Sequence, residues 1–510
     1  MSRRPPALRL HAADDVAVSL EQLIHGTRLA DLGVDVAGLI PPGHKVALRD
    51  LEPGAAVHRY GQIIGFASQP IRAGQHVHTH NLVMGEFARD HACGAEPCPV
   101  PAAAATATFA GIVRPDGRVA TRNYIGILTS VNCSATVARA IADHFRRDIH
   151  PEALADFPNV DGVVALTHGA GCAVDPRGEG LAVLRRTLGG YASHANFAAV
   201  LVVGLGCETN QIPGLLETQG LHEGPQLHTF TIQDTGGTTR TIAHGIARIR
   251  EMLPAANDVD RQLVPASHLI VGLQCGGSDG YSGISANPVL GAAVDRLVAA
   301  GGTAILSETP EIYGAEHLLT RRARTADVGR ALLARIEWWD RYCKQHGAEM
   351  DNNPSAGNKA GGLTTVLEKS LGGIAKAGSS TLNAVYEYAE PVRERGLVFM
   401  DTPGYDPISA TGQVAGGATL ICFTTGRGSA YGCAPSPSIK LATNTALWLR
   451  QRDDMDVNCG GVLDGTHGID ELGETVFQLM LATASGQRSR SEVHGYGQNE
   501  FVPWQLSVIT

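Results

Sequence analysis

The histidines of Gln75-His76-Val77-His78-Thr79-His80-Asn81 fall at every second position, so on an extended strand all three imidazoles share one face. A neutral imidazole is a common ligand for iron, manganese or zinc and a general base near neutral pH. A solvent-facing polar edge carries the same spacing. His11 in LRLHAADDVA and His44 in PPGHKVAL add imidazoles to the same N-terminal stretch.

Other reactive side chains follow short apolar runs. Cys133, Cys172, Cys207 and Cys275 each stand just beyond one. A cysteine there is either a small residue that packs well or a thiol held ready as a ligand, and four repeats of the setting weigh toward the second. In CGGSDGYSG (275–283), Gly276 and Gly277 let backbone amides approach an anion beside Ser278 and Asp279. TTGRGSAYG (424–432) has the same character and adds Arg427, whose fork suits two-point binding of a carboxylate. Together they favour a small anionic substrate.

The glycine/lysine-rich stretch NPSAGNKAGGLTTVLEKSLGGIAKAGSS (353–380) offers Asn358 and three lysines, Lys359, Lys369 and Lys376. A lysine binds an oxyanion or, once desolvated, acts as a base, and Lys359 lies between glycines in the polar part of the loop. Glu308 and Glu311 in ETPEIYGAEHLL follow another apolar run, where carboxylates bind a divalent cation or move protons. Glu316 and His317 read equally well as surface or cap residues. No Walker loop and no dinucleotide fingerprint is present, which disfavours ATP or NAD chemistry.

These groups need a scaffold. Seven apolar, β-branched runs (YIGILTSV, DGVVALTH, AAVLVVGL, SHLIVGLQ, GTAILSE, GLVFMD and ATLICF) alternate with helical patterns. Runs apolar on both faces predict buried parallel strands in an α/β fold, with ligands bound outside their carboxyl ends. Residues 1–87 differ, with short apolar stretches between turns such as PPGH, EPGA and IRAGQ, and predict a β-rich module. Residues 88–107, ending in Pro/Ala-rich sequence, read as a linker, followed by α/β domains over 108–257 and 258–510.

Composition sets outer bounds. With 510 residues, 44% hydrophobic and 18% charged content and 61 glycines, the chain is a multidomain globular protein. A net charge of −9 without a basic run excludes nucleic acid as an expected partner. No apolar run reaches membrane-spanning length, and the N-terminal arginines lack an apolar segment behind them, so a cytoplasmic protein with reduced thiols is expected. A homo-oligomer is compatible with such a chain.

Several long motifs occur in the order found in the altronate/galactarate dehydratase family, which the chain resembles over nearly its whole length. They are HAADDVA, GHKVAL, YGQIIGFA, HVHTHN, RPDGRVATRN, VVGLGCETNQ, CGGSDGYSGISANP, ETPEIYGAEHLL, the 353–380 stretch and TTGRGSAYG. HVHTHN and EIYGAEHLL look more like the altronate branch, while IEWWDRYCKQ leans toward the galactarate branch. Asp15 in HAADDVA stands where asparagine is more usual.

The resemblance implies an N-terminal SAF (β-clip) module, two further α/β domains with mainly parallel sheets, and dehydration of a sugar acid to a 2-keto-3-deoxy acid. It also implies a divalent metal, iron(II). Mixed nitrogen and oxygen ligands suit a single Fe(II) or Mn(II), while three strand-end thiolates suit an iron–sulfur cluster instead. From residue type and placement, His11, His44, His76, His78 and Lys359 are expected in catalysis. Gly276, Gly277, Ser278, Asp279, Asn358 and Arg427 are expected to bind substrate. Metal ligands are expected from the histidines and from Cys133, His168, Cys172, Cys207, Glu208 and Cys275. A sulfolactate sulfo-lyase branch and a non-catalytic sugar-acid binding protein are the alternative readings, the former disfavoured because it divides the SAF module and the large part between two chains.

Overall fold

A computed structural model describes residues 4–96, 98 and 107–506. The N-terminal module is built from short antiparallel strands, chiefly a four-stranded sheet ordered Ala7–Leu8, Val16–Ser19, Lys45–Ala47, His76–Val77 and a three-stranded sheet of Ala56–Arg59, Gln62–Ala67 and Leu82–Val83. Its small cores gather Val16, Ala47, Val57, Ile64 and Val77, and separately Ala17, Leu23, Val36 and Ile40.

The rest is α/β. One sheet has four parallel strands in the order Gly162–Leu166, Tyr124–Thr129, Phe197–Gly204, Leu227–Thr231. The larger sheet has seven parallel strands in the order Leu382–Tyr386, Gly396–Met400, Thr303–Leu306, Ile270–Cys275, Leu420–Thr425, Ser438–Ala442, Val457–Asn458. All seven predicted runs are strands of these two sheets. Helices on both faces explain why the runs are apolar throughout: every residue of Gly396–Met400 and of Leu420–Thr425 is buried.

The two α/β units share a core in which Leu128, Val164 and Leu188 pack with Val398, Met400 and Val414. Helices Glu179–Ala192 and Asp406–Ala415 meet there so closely that a Cβ on Gly190 would lie 2.2 Å from the Ala415 carbonyl. An antiparallel sheet also joins them, with Thr108–Val113 pairing with both Val119–Ala120 and Arg261–Pro265.

Part of the expected linker, residues 97 and 99–106, lies outside the described residues. Its first part is held against the C-terminal unit: Gly94 and Glu96 amides donate to the Thr320 and Arg321 carbonyls at 2.9 Å, and Arg321 pairs with Asp90 and Glu96. Among the described residues no helix is long and apolar enough to cross a membrane.

Candidate active site

Four neighbouring strands of the large sheet deliver their carboxyl ends to one cavity of about 610 Å³. Ile270–Cys275 ends in Cys275, Gly276 and Gly277; Leu420–Thr425 runs on to Arg427; Thr303–Leu306 leads to Glu311 and Gly396–Met400 to Asp406. The first two loops are laced together, the Gly426 and Arg427 amides donating to the Gly277 carbonyl at 3.1 and 3.0 Å. Glycine at 276 leaves room for Asp406, whose carboxylate oxygen would lie 2.1 Å from a Cβ there. Asn353, Asn358 and Lys369 complete the wall.

Charge inside this cavity is dense and internally balanced. Lys369 donates to Glu311 and to the Asn353 side-chain oxygen, both at 2.7 Å, and the Asn353 amide also donates to Glu311 at 2.8 Å. Beneath them Lys376 lies 2.9 Å from Cys275 Sγ and 3.3 Å from Glu308, while Cys275 Sγ stands 3.4 Å from Glu311.

Burial, reinforced by Glu311, raises Glu308 to about 8. Against the same burial, Lys369 and Lys376 hold Glu311 below the usual range, so this pair is one acid and one carboxylate at neutral pH. Burial and then Glu311 lift Asp406 to about 6, and burial lifts the Cys275 thiol to about 12 despite Lys376. Glu308 also sits at φ 69, in the left-handed region, with its buried Oε1 unpartnered; such strain collects at functional positions.

The SAF module brings His44, His76 and His78 together, with ligand-capable atoms all within 4.8 Å. His44 Nε2 faces the Ala360 carbonyl at 3.3 Å and its Nδ1 lies 3.0 Å from His76 Nε2. A proton on Nε2, donated to that carbonyl, leaves the Nδ1 lone pair aimed at the cluster. Burial, then the neighbouring imidazoles, lowers His76 to about 3; burial, Lys45 and His44 lower His78 to about 4. His78 Nδ1 is buried without a partner. Neutral imidazoles with converging lone pairs fit a divalent cation.

Helix Ala356–Ala360 joins the two groups of residues. Its Asn358 lines the cavity and its Ala360 carbonyl meets His44. Just behind, Glu368 is wholly buried between Lys45 at 2.9 Å and Arg59, and it also accepts the Thr364 amide and hydroxyl. One carboxylate faces two cations there, so Glu368 is held down at about 2 although burial opposes it, and burial brings Lys45 to about 8.

Several expected site residues lie elsewhere or are already engaged. His11 is exposed and its Nδ1 accepts the Ala13 amide at 3.1 Å. Lys359 is half-buried and does not line the cavity, its charge acting on Asp351. Asp279 is a buried hub that accepts from Ser282, the Tyr281 amide and Thr443, so its oxygens hold loops together. Ser278 is buried, and its carbonyl accepts from Asn358. His168 uses both ring nitrogens, on the Thr129 carbonyl and the Ala170 amide, and has none for a metal. Glu208 accepts the Ser130 hydroxyl and the Leu205 and Gly206 amides. Cys133, Cys172 and Cys207 belong to the second unit and do not join Cys275.

Sequence reading passed over Asp406, Asn353 and the Lys45–Glu368–Arg59 group. For Asp406 there was a signal, its position just after the GLVFMD run. Nothing local marks the buried triad.

A SAF-type module packed on a parallel α/β body, with paired carboxylates and ammonium groups at the strand ends, has the groups that acid/base chemistry on a small anion needs. Three domain models match in order: the altronate/galactarate dehydratase SAF domain over residues 5–85, the D-galactarate dehydratase/altronate hydrolase second domain over 111–257 and the D-galactarate/altronate dehydratase C-terminal domain over 266–509.

The chain is 39% identical to galactarate dehydratase (L-threo-forming) of Escherichia coli (strain K12), covering 94% of this chain and 93% of that protein. It is 34% identical to altronate dehydratase of Bacillus subtilis (strain 168), over 96% and 97%. It is likewise 34% identical to altronate dehydratase of Escherichia coli (strain K12), over 95% and 96%. The chain therefore belongs to the galactarate/altronate dehydratase family, whose named members here are dehydratases and so carbon–oxygen lyases.

Proposed function

We propose that the protein is a cytoplasmic, metal-dependent hydro-lyase that converts a sugar acid, galactarate-like or altronate-like, to a 2-keto-3-deoxy acid. The observation that carries this reading is the cavity at the strand ends, where Asp406, Lys369 and Arg427 face one space across four strands. The same reaction class fits the names of the relatives over nearly full length.

Arg427 and the ammonium of Lys369 hold the anionic substrate. Asp406, near 6, is ionised at neutral pH yet basic enough to take the proton alpha to the carboxylate. Lys369 gives a proton to the hydroxide leaving the next carbon, and water departs. The resulting enol returns its hydroxyl proton to Lys369, while Asp406 protonates the adjacent carbon and regenerates the base.

The histidine group His44, His76 and His78 would hold the divalent ion, Fe(II) or Mn(II), whose positive charge would favour an anionic intermediate. The Cys275/Glu308/Glu311 group also has ligand atoms within 4.8 Å. Its charge is already offset by Lys369 and Lys376, and its thiol is protonated, so the imidazoles are the better metal site. The test is anaerobic incubation of Fe(II)-loaded protein with a panel of aldonates and aldarates, assaying 2-keto-3-deoxy acid. Binding without product across the panel would overturn the proposal.

A further inference from the structure

The second unit carries three thiols for which this reaction has no use. Cys133, Cys172 and Cys207 are free and exposed, each on the loop that leaves the carboxyl end of one of three adjacent parallel strands. These loops are stitched to one another beside the cysteines themselves. The Asn132 amide donates to the Ala170 carbonyl at 3.1 Å, and its side chain donates to the His168 carbonyl at 2.9 Å. The Asn210 amide donates to the Gly171 carbonyl at 2.9 Å, its side chain donates to the Ser130 carbonyl at 3.0 Å, and Ser130 donates to Glu208. A Cβ on Gly171 would lie 2.3 Å from the Ser130 carbonyl, so backbone touches backbone.

We propose that Cys133, Cys172 and Cys207 are the ligands of an iron–sulfur cluster, with one iron left free of protein ligands. Cysteines that serve packing are buried, as Cys422 and Cys459 are here, whereas these three face solvent from a braced frame. A single tetrahedral ion draws thiolates to about 2.3 Å from itself and needs four ligands in a structural site. The three cysteines are not among the sets whose ligand atoms converge within 4.8 Å. Among the described residues nearby, His168 and Glu208 are already occupied by hydrogen bonds. A thiolate-held cluster accepts wider spacing, since each cysteine binds a different iron.

The test uses the full chain, incubated anaerobically with ferrous and ferric iron and sulfide, then desalted. Iron, acid-labile sulfide and the visible spectrum are measured. The wild type should retain iron and sulfide in similar amounts with a broad charge-transfer band. C133S, C172S and C207S should each lose at least about ten-fold of the sulfide. H78A, which removes a ligand of the histidine group, should retain the cluster, so that failure of the histidine metal site and failure of the cluster are told apart. Alkylation mapped by mass spectrometry needs no variant: cluster loading should slow modification of these three cysteines alone. Retention of sulfide and band by C133S/C172S/C207S, iron bound without sulfide, or unchanged alkylation of the three would overturn the proposal.

Discussion

Asp406 is the residue on which the proposed proton transfer turns, because of the two carboxylates that line the cavity it is the one raised toward neutrality, to about 6, while Glu311 is held below the usual range. D406N should lower kcat/KM by about 10²- to 10⁴-fold, the usual loss of a general base, with an unchanged circular dichroism spectrum. The wild-type rate should fall on the acid side with a midpoint near 6, where burial and Glu311 set this carboxyl, and D406N should lack that limb in its residual activity. Arg427 acts on binding: R427A should raise KM by about 10- to 100-fold, the worth of a charged hydrogen bond, and leave kcat much less affected. Gly276, Gly277, Arg427 and Cys275 were legible in sequence as lining because strand ends are where such sheets bind ligands, and Asn358 through the glycine/lysine-rich stretch that carries it. Asp279 and His168 are engaged by neighbouring segments, on Thr443 and the Thr129 carbonyl, which the sequence does not show. A polar side chain beside an apolar run looks the same in sequence whether it faces a cavity or binds a neighbouring loop.

At the scale of elements, helix Val366–Ile374 serves two sides at once. Successive helical positions point about 100° apart, so Glu368 enters the SAF interface while Lys369 enters the cavity. E368Q should destabilise the protein by about 3–5 kcal/mol, because Lys45 and Arg59 would be left buried without a counter-charge; denaturant unfolding measures it. The pH dependence has a definite sign. Glu368 titrates near 2 in the folded chain against 4.5 ordinarily, so its contribution is complete above the ordinary value and is lost as pH falls from about 4.5 toward 2. Acid titration followed by limited proteolysis should free the SAF module in that window, and E368Q should show no such step. The seven apolar runs were readable because burial on both faces leaves no polar alternation. Leu227–Thr231 and Leu382–Tyr386 lie at sheet edges with half-buried residues, and Val457–Asn458 has only two residues, so their patterns were weak.

At the scale of the whole molecule, the histidine group is completed by a docking contact, since the Ala360 carbonyl that orients His44 comes from the C-terminal unit. H78A should therefore lose divalent-metal affinity by more than the roughly 10- to 100-fold that an outer-shell change costs, measured by metal content after desalting, while thermal unfolding of the α/β body shifts little.

Sequence alone determined the β-rich module, the parallel α/β body, the family and the set of chemically able residues. Those properties are written in local hydrophobic period, turn residues and motif order. Only the tertiary structure decided which able residues meet. His44 joins His76 and His78 while His11 stays exposed, and Asp406 and Arg427 line one cavity from different strands, whereas Cys275 lies in the other sheet from the remaining three strand-end cysteines. Such choices rest on the order of strands in a sheet and on the docking of one domain against another, which bring together residues more than three hundred positions apart, as with His44 and Ala360. No local pattern of residues carries that information.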